Sequence, residues 1–203
     1  MKLSLPTEGG VSTDFIACIV RNDYGLGERV SGEVTRILDV GANVGLFALA
    51  ARSVYKSATI HCYEPNRRSS RFLINNTRSL NISVHEEAVG AEDGAVTIND
   101  SADSNLATTT RSATGTVPQT SFSKAISRMG GCVDILKLDC EGAEWDLFEA
   151  RECWENVRNL RMEYHLLNCY TVSDVSARLQ MLGFTIIKEQ HDVGCGIIWA
   201  TRK

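Results

Sequence analysis

Two absences limit what this sequence of 203 residues can be: it has no long hydrophobic run and no surplus of basic residues. No apolar stretch approaches the roughly 20 residues that a membrane-spanning helix needs, so no membrane span is expected. The first ten residues lack an apolar core and do not resemble a secretory signal. The formal net charge of −4 argues against a broad nucleic-acid footprint, so a nucleic-acid partner is not expected.

Paired cysteines are absent as well. The seven cysteines form no C-x-x-C pair and lie at Cys18, Cys62, Cys132, Cys140, Cys153, Cys169 and Cys195. An odd number of dispersed cysteines favours reduced, buried thiols over a disulfide framework, and we expect a cytoplasmic protein. Repeats and low-complexity tracts are also lacking, so residues 1–203 are predicted to form one domain, with 1–34 as a lead-in segment and 35–203 as the core.

Alternating strand and helix patterns predict an α/β fold. The predicted strands of the core are 37–40, 58–63, 82–87, 133–139, 158–165, 184–188 and 196–201. The predicted helices are 44–53, 66–78, 121–129, 140–148 and 172–182. We therefore expect a doubly wound, mostly parallel, seven-stranded sheet that ends in a C-terminal antiparallel hairpin.

Two further segments are less regular. Asp14–Val20 is apolar and is predicted to be a strand, followed by a turn-rich loop in which Tyr24 is a candidate ligand contact. The alternative for Tyr24 is an ordinary surface loop. Residues 91–120 are polar, with one β-like piece at 95–98, and are predicted to be a long loop. Within it, 101–111 is a candidate substrate-side lid, with disorder as the alternative.

The turn between the first core strand and its helix has the composition of a nucleotide-binding loop. It reads D-V-G-A-N-V-G, with Asp39 at the strand end and Gly41, Ala42, Asn43 and Gly45 in the turn. Glycines let a ligand approach the backbone, and the start of a helix presents free N–H groups. Asp39 would repel a pyrophosphate but suits an ammonium group, which favours S-adenosylmethionine as the ligand. The alternative is a plain βα turn.

A second acidic residue follows at the end of the next strand. Glu64 lies 19 positions after Gly45 and is followed by Pro65. In doubly wound folds an acidic residue about 20 positions beyond the glycine-rich turn binds the ribose hydroxyls. Glu87 ends the third predicted strand and Ala88 follows it, and Glu87 is a candidate acceptor for the adenine amino group. A surface position is the alternative for Glu87.

More acidic residues cluster after the fourth strand. In open α/β sheets the ligand lies outside the carboxyl ends of the strands, which places Asp39, Glu64, Glu87, Asp139 and His165 along one edge. Glu141 and Glu144 share a face of the following helix, although the helix dipole alone accounts for acidic residues there.

Lys137 lies inside an apolar strand and therefore needs a partner. Strand parity predicts a buried ion pair between Lys137 and Glu163.

Five motifs, in this order, resemble the FkbM family of S-adenosylmethionine-dependent methyltransferases: D-V-G-A-N-V-G, Y-E-P-N, A-V-G, K-L-D-C-E-G-A-E and M-E-Y-H. The resemblance extends from about residue 36 to about residue 170. It implies a Rossmann-like class I methyltransferase fold and methylation of a hydroxyl on a sugar, a glycolipid or a polyketide-type product. It does not fix the acceptor. The chain has no added substrate domain, so the acceptor site would come from loops or from a second subunit of a homodimer.

Scarcity of proline bears on the accepting atom. Enzymes that methylate amino groups commonly have an N-P-P-Y or D-P-P-Y loop after the fourth strand. Here that place holds Asp139-Cys140-Glu141-Gly142, and the only prolines are Pro6, Pro65 and Pro118. Oxygen is therefore the expected accepting atom.

Transfer to a hydroxyl requires alignment of the two reactants and removal of the hydroxyl proton. His165 is the first candidate base because its ordinary pKa is nearest neutrality. Asp139, which is also a candidate cofactor contact, and Glu141 are further candidate catalytic residues. Glu144 is another alternative base, and a packed core histidine is the alternative for His165.

Two other functions fit the same residues. One is a metal-assisted methyltransferase that holds a divalent ion with Asp139, Glu141, Glu144 and His165, although no metal site is predicted for the favoured mechanism. The other is a non-catalytic module that binds S-adenosylmethionine.

Overall fold

A computed structural model describes residues 3–99, 101–103, 107–167 and 170–202. Its strands are β1 Arg36–Val40, β2 Thr59–Tyr63, β3 Ile82–His85, β4 Ala88–Gly90, β5 Gly94–Asn99, β6 Thr108–Arg111, β7 Val117–Ser121, β8 Val133–Leu138, β9 Val157–His165, β10 Thr185–His191 and β11 Cys195–Thr201. Its α-helices are α1 Gly9–Phe15, α2 Leu46–Val54, α3 Arg67–Thr77, α4 Phe122–Arg128, α5 Glu144–Glu149, α6 Arg151–Trp154 and α7 Val172–Met181. In the part of the chain so described, no helix has the length and apolar character needed to cross a membrane.

The main sheet has seven strands in the order β10-β11-β9-β8-β1-β2-β3. Strands β9, β8, β1, β2 and β3 pair in parallel, and β11 joins β9 and β10 antiparallel. The sheet is therefore mixed, and the predicted doubly wound sheet with a closing hairpin is confirmed. Strand β8 is buried along its whole length, as expected for a central parallel strand covered on both faces.

A second sheet of four strands, in the order β4-β7-β5-β6, occupies the region predicted as a long loop. The loop prediction for 91–120 was wrong because the threonines and valines of this polar segment pair across strands, and Val96 becomes buried. Only the β-like piece at 95–98 was recognised. The candidate lid at 101–111 falls partly on residues 104–106, which lie outside the described residues.

The lead-in segment is helical rather than extended. Helix α1 continues into a π-helical segment, Ile16–Arg21, so the predicted strand at Asp14–Val20 was wrong. Short apolar runs fit either state, and here tertiary packing decided the outcome. Val11, Phe15 and Cys18 follow helical spacing and pack against Val44 and Leu46 at the start of α2. This packing places the lead-in over the carboxyl ends of the central strands.

Candidate functional site

A cleft lies at the carboxyl ends of β1, β2 and β8, between the lead-in segment and the second sheet. It encloses about 1040 Å³ of space, part of it open to solvent. The predicted cofactor residues that line it are Gly41, Ala42, Asn43, Glu64, Pro65, Glu87 and Ala88. Of the predicted catalytic residues, Asp139 and Glu141 line it as well.

The β1–α2 turn is closed by its own hydrogen bonds. The N–H groups of Gly41 and Ala42 both donate to the carbonyl of Tyr63, at 3.1 and 3.0 Å, and that of Gly45 donates to Ala42 O. Neighbouring backbone oxygens therefore accept from the N–H groups of these three turn residues. The free N–H groups expected at the start of the helix belong to the residues that follow, from Leu46 on, and they stay a prediction.

Gly41 adopts a φ of 75°, and an added Cβ would lie 1.7 Å from the carbonyl oxygen of Asp139. Only glycine permits this approach, and it brings the ends of β1 and β8 together. Gly45, at φ 91°, precedes α2 and does not itself line the cleft.

Backbone N–H groups orient the carboxylate of Glu64, an acidic residue of the cleft. One carboxylate oxygen accepts from the N–H of Asn43 and the other from the N–H of Asn66, both at 2.8 Å. The residue is 7% exposed, and burial raises its pKa to about 7 against the lowering effect of those two backbone donors. Because each carboxylate oxygen has a further lone pair, Glu64 can still accept from a ligand.

Asp39 and Lys137 form a buried pair beneath the turn. Asp39 is fully buried, and its Oδ1 lies 3.6 Å from Lys137 Nζ, which also lies 3.3 Å from Asp139 Oδ2 and donates to Gly41 O at 2.5 Å. The predicted pair of Lys137 with Glu163 was wrong: the β8–β9 register sets Lys137 beside Arg161. Burial lowers the pKa of Lys137, but Asp139 and Asp39 raise it more, so the ammonium is stabilised.

Asp39 does not line the cleft, whereas its ion-pair partner Lys137 does. Its predicted contact with the cofactor ammonium stays a prediction.

Glu87 is held by Arg128 of α4. The guanidinium donates to both carboxylate oxygens, at 2.8 and 3.2 Å, and also to the hydroxyl of Tyr63 at 3.2 Å. Glu87 is therefore not a free surface residue. Its carboxylate orientation is fixed where β3 ends, beside the backbone of Ala88.

His165, the last residue of β9, is flanked by two carboxylates. Its Nε2 is 3.3 Å from Glu141 Oε2 and its Nδ1 is 3.3 Å from Glu144 Oε1. Burial lowers the pKa of His165. Glu144, Glu141 and Asp139 raise it by more than burial lowers it, so the pKa is about 9. The imidazole is therefore cationic at neutral pH. His165 is not part of the cleft lining described here and reaches the cleft through Glu141.

Glu141 has a raised pKa of its own. Burial raises it to about 8, partly offset by His165 and reinforced by Asp139 and Glu163. Glu141 thus holds its proton to higher pH than a free glutamate does.

The sequence predicted Tyr24 as a candidate ligand contact, with a surface loop as the alternative, but did not predict its contact with Asp139 or the place of Glu163 in the cleft. Tyr24, which a surface loop would have exposed, is 4% exposed; its hydroxyl lies 3.0 Å from Asp139 Oδ2 and 3.3 Å from Glu163 Oε2. Glu163 lines the cleft beside them. Strand parity places Glu163 on the same face of its strand as His165, which could have indicated that Glu163 lies at the cleft. The same parity was instead interpreted as an ion pair between Glu163 and Lys137. For Tyr24 no local signal exists, because Asp139 is 115 positions away.

Residues 39–186 match the family described as the methyltransferase FkbM domain. No curated protein matches the chain. A similar solved structure is methyltransferase FkbM from Methylobacillus flagellatus KT, which is 17% identical with a TM-score of 0.55; the match covers 82% of this chain and 43% of that one.

Two other solved structures are also similar. Fibrillarin from Aeropyrum pernix, solved with natively bound S-adenosyl-L-methionine, is 17% identical with a TM-score of 0.57 over 89% of this chain and 72% of that one. Ribosomal protein L11 methylase from Lactobacillus delbrueckii subsp. bulgaricus is 13% identical with a TM-score of 0.56 over 99% and 82%. Identities this low establish the fold alone. The family match spans most of the chain, from the end of β1 into β10, and the protein belongs to the methyltransferases with an FkbM domain.

Proposed function

We propose that this protein transfers a methyl group from S-adenosylmethionine to a hydroxyl of a small-molecule or glycan acceptor, such as a sugar, a glycolipid or a polyketide-type product. The observation that carries the proposal is one cleft that joins the β1–α2 turn and Glu64 to the carboxylates of Asp139 and Glu141. One side of the cleft suits the cofactor, and the other offers groups that orient a hydroxyl and accept its proton.

The described residues fit the cofactor. Glu64 has two oxygens, each with a lone pair left for the ribose hydroxyls, and Ala88 and Val89 offer an apolar wall beside Glu87 for the adenine. The closed turn and the acidic lining disfavour a phosphorylated ligand and suit one that carries positive charge. When bound, S-adenosylmethionine supplies an electrophilic methyl group on a sulfonium.

On the acceptor side, Asp139, Glu141 and His165 have different roles in this proposal. Asp139 is held by Lys137 and Tyr24 and orients the acceptor hydroxyl. Glu141 faces the cleft with its carboxylate fixed by His165. His165 becomes a proton acceptor only after losing the proton that its two carboxylate neighbours stabilise, so as a base it would act above about pH 9.

Metal-assisted transfer is the second candidate, and one observation favours it. Ligand atoms of Asp139, Glu141 and His165 all lie within 4.8 Å of one another, an arrangement that could hold a divalent ion. Against it, His165 and Glu144 already pair with each other. Turnover that survives EDTA would exclude this candidate, and turnover restored by Mg²⁺ or Mn²⁺ after EDTA would establish it.

The acidic cleft also guides the choice of partner. Nucleic-acid acceptors are not proposed, because the cleft lining described here contains Lys137 as its basic side chain among several carboxylates. A second subunit remains the proposed source of any further acceptor contacts. The described cysteines are free thiols, in keeping with the proposed cytoplasmic location.

The test is transfer of a tritiated methyl group from S-adenosylmethionine to a panel of sugars, glycolipids and hydroxylated natural products. We expect label in an alkali-stable ether on one acceptor class, and loss of transfer in Glu64→Ala. Tight binding of S-adenosylhomocysteine with no transfer to any hydroxyl would instead support a non-catalytic binding module. Label on nitrogen or carbon would contradict the choice of oxygen.

A further inference from the structure

Glu163 lines the cleft, but the proposed function gives it no role. In the parallel β8–β9 register Leu138 pairs with Met162, so Asp139 and Glu163 follow side by side just beyond the end of β8. Across the antiparallel pair with β11, Glu163 lies opposite Ile197, which also lines the cleft. A carboxylate thus stands at the centre of the acceptor side, with an apolar neighbour on one flank and Asp139 on the other.

Tyr24 joins these two carboxylates. Its hydroxyl lies within hydrogen-bond distance of both, at 3.0 Å from Asp139 Oδ2 and 3.3 Å from Glu163 Oε2. A hydroxyl has one proton to donate, so it satisfies one carboxylate at a time. Burial, followed by the charges of Asp139 and Glu163, raises the pKa of Tyr24 well above its ordinary value, which keeps that proton on the phenol.

The other ionisable groups nearby already have opposite charges as partners. Lys137 contacts Asp139, and His165 contacts Glu141. Within the described ranges Glu163 makes no ion pair at 4.0 Å or less, and the phenol of Tyr24 is its hydrogen-bond partner. Glu163 can therefore gain a proton without breaking an ion pair, unlike its neighbours Asp139 and Glu141 on the acceptor side of the cleft.

We propose that Glu163 is the group that accepts the proton of the acceptor hydroxyl, with Tyr24 and Asp139 as positioning residues. This role rests on the proposed function. As the acceptor oxygen forms its bond to the methyl carbon, the methyl–sulfur bond breaks and its electron pair stays on sulfur. The acceptor O–H bond breaks in the same step, and its proton passes to the Glu163 carboxylate and later to water.

The electrostatic surroundings of Glu163 suit this role. Burial first, and then Asp139, raise its pKa to about 7, whereas His165, Lys137 and the hydrogen bond from Tyr24 lower it. A carboxylate with a pKa near the working pH is both available as a base and strong enough to act. The further titratable neighbours are Glu141, in the loop after β8, and Cys195 on β11.

The first experiment compares Glu163→Gln with the matched variant Glu141→Gln, using an acceptor found by the tritium assay. We expect Glu163→Gln to lose about 10²–10⁴ in kcat, the usual contribution of a general base, while its affinity for S-adenosylhomocysteine stays within about threefold of wild type. In wild type the hydrogen bond from Tyr24 stabilises the ionised carboxylate of Glu163. Its loss in Tyr24→Phe should therefore raise the pKa of Glu163 and move the rising limb of the pH–rate profile to higher pH. A larger loss in Glu141→Gln than in Glu163→Gln would overturn the assignment.

A second measurement needs no acceptor. In protein labelled with ¹³C at glutamate carboxyls, Glu163 is assigned by the signal missing from Glu163→Gln and is then titrated. We expect a midpoint near neutrality that rises in Tyr24→Phe and falls in Asp139→Asn. Titration in the ordinary glutamate range, near 4.3, would overturn the inference even in an active methyltransferase. A wild-type protein that methylates no hydroxyl would overturn the proposed function, and this role for Glu163 with it.

Discussion

At the scale of single residues, Glu64 combines a structural contact with a predicted binding contact. Its two oxygens already accept from the backbone of Asn43 and Asn66, so the carboxylate is oriented before any ligand arrives. A carboxylate held in this way does not have to be ordered when a ligand binds.

The first prediction is that Glu64→Ala weakens binding of S-adenosylhomocysteine by about 1.5–3 kcal/mol, the value of hydrogen bonds to a charged group. Isothermal titration calorimetry measures this, and Glu155→Ala, at an exposed site after α6, serves as the control. Wild-type affinity in Glu64→Ala would remove the ribose assignment. Loss of folding would be detected separately by circular dichroism.

Lys137 is the second residue with a testable role, and its partners differ from those predicted. It stabilises Asp39, Asp139 and the carbonyl of Gly41 together, which links the buried charges to the shape of the turn. Asp39 has no exposure at all, so it depends on that ammonium.

We expect Lys137→Met to lower the free energy of unfolding by about 3–5 kcal/mol, because Asp39 is left buried without a counter-charge. Urea unfolding measures the loss. The double variant with Asp39→Asn should recover part of it, and Lys124→Met, at an exposed site, should change stability by no more than about 0.5 kcal/mol. A Lys137→Met protein as stable as wild type would show that the ammonium acts on ligand rather than on the fold.

At the scale of elements, the β1–α2 turn decides how closely two central strands approach. Gly41 combines a left-handed φ with a backbone contact that leaves no room for a Cβ. The same turn places Asn43 against Glu64, so distortion here would affect both the sheet and the cofactor side of the cleft.

Gly41→Ala is accordingly expected to cost about 3 kcal/mol or more, since strain and a clash with Asp139 O act together. Thermal unfolding followed by circular dichroism provides the measurement. Gly94→Ala is the matched control, because an added Cβ at Gly94 meets nothing within 4 Å. Equal melting temperatures for the two variants would mean that the turn relaxes without loss.

At the scale of the whole molecule, many buried groups hold protons more tightly in the folded state than in the unfolded chain. Burial raises the pKa of Glu64 and Glu163 to about 7 and that of Glu141 to about 8, and carboxylate neighbours raise that of His165 to about 9 against the effect of burial. Each of these groups therefore contributes stability at low pH that is lost as the pH rises through its folded-state pKa.

We predict that the free energy of unfolding falls steadily between about pH 6.5 and 9, because the folded protein binds more protons than the unfolded chain there. The lowered pKa of His85, about 4 through burial and its neighbours His61 and Arg128, acts below this window. Urea unfolding at a series of pH values tests the slope, and Glu141→Gln should flatten it. A stability that rises over this interval would contradict the raised pKa values.

The sequence by itself determined the parts of this protein that depend on local pattern. Apolar runs and glycines predicted the seven strands of the main sheet, the β1–α2 turn and the closing hairpin. Because parallel strands present their carboxyl ends at one edge, the same pattern also predicted that Glu64, Glu87 and Asp139 face a common cleft. These features need only short-range periodicity and the handed connections of an α/β fold.

Tertiary structure alone decided the remaining features. The register of β8 against β1 sets Lys137 beside Asp39, and the register of β8 against β9 sets it beside Arg161, so that Glu163 bonds to Tyr24 instead. The spacing within each strand contains no information on these registers. Packing of the lead-in segment on the start of α2 turned an apolar run into a helix. Contact with Phe47 of α2 accompanies the burial of Tyr24 beside Asp139. The charge of His165 likewise depends on carboxylates that folding brings to within 3.3 Å, because a pKa is set by burial and neighbours in space rather than by residue type.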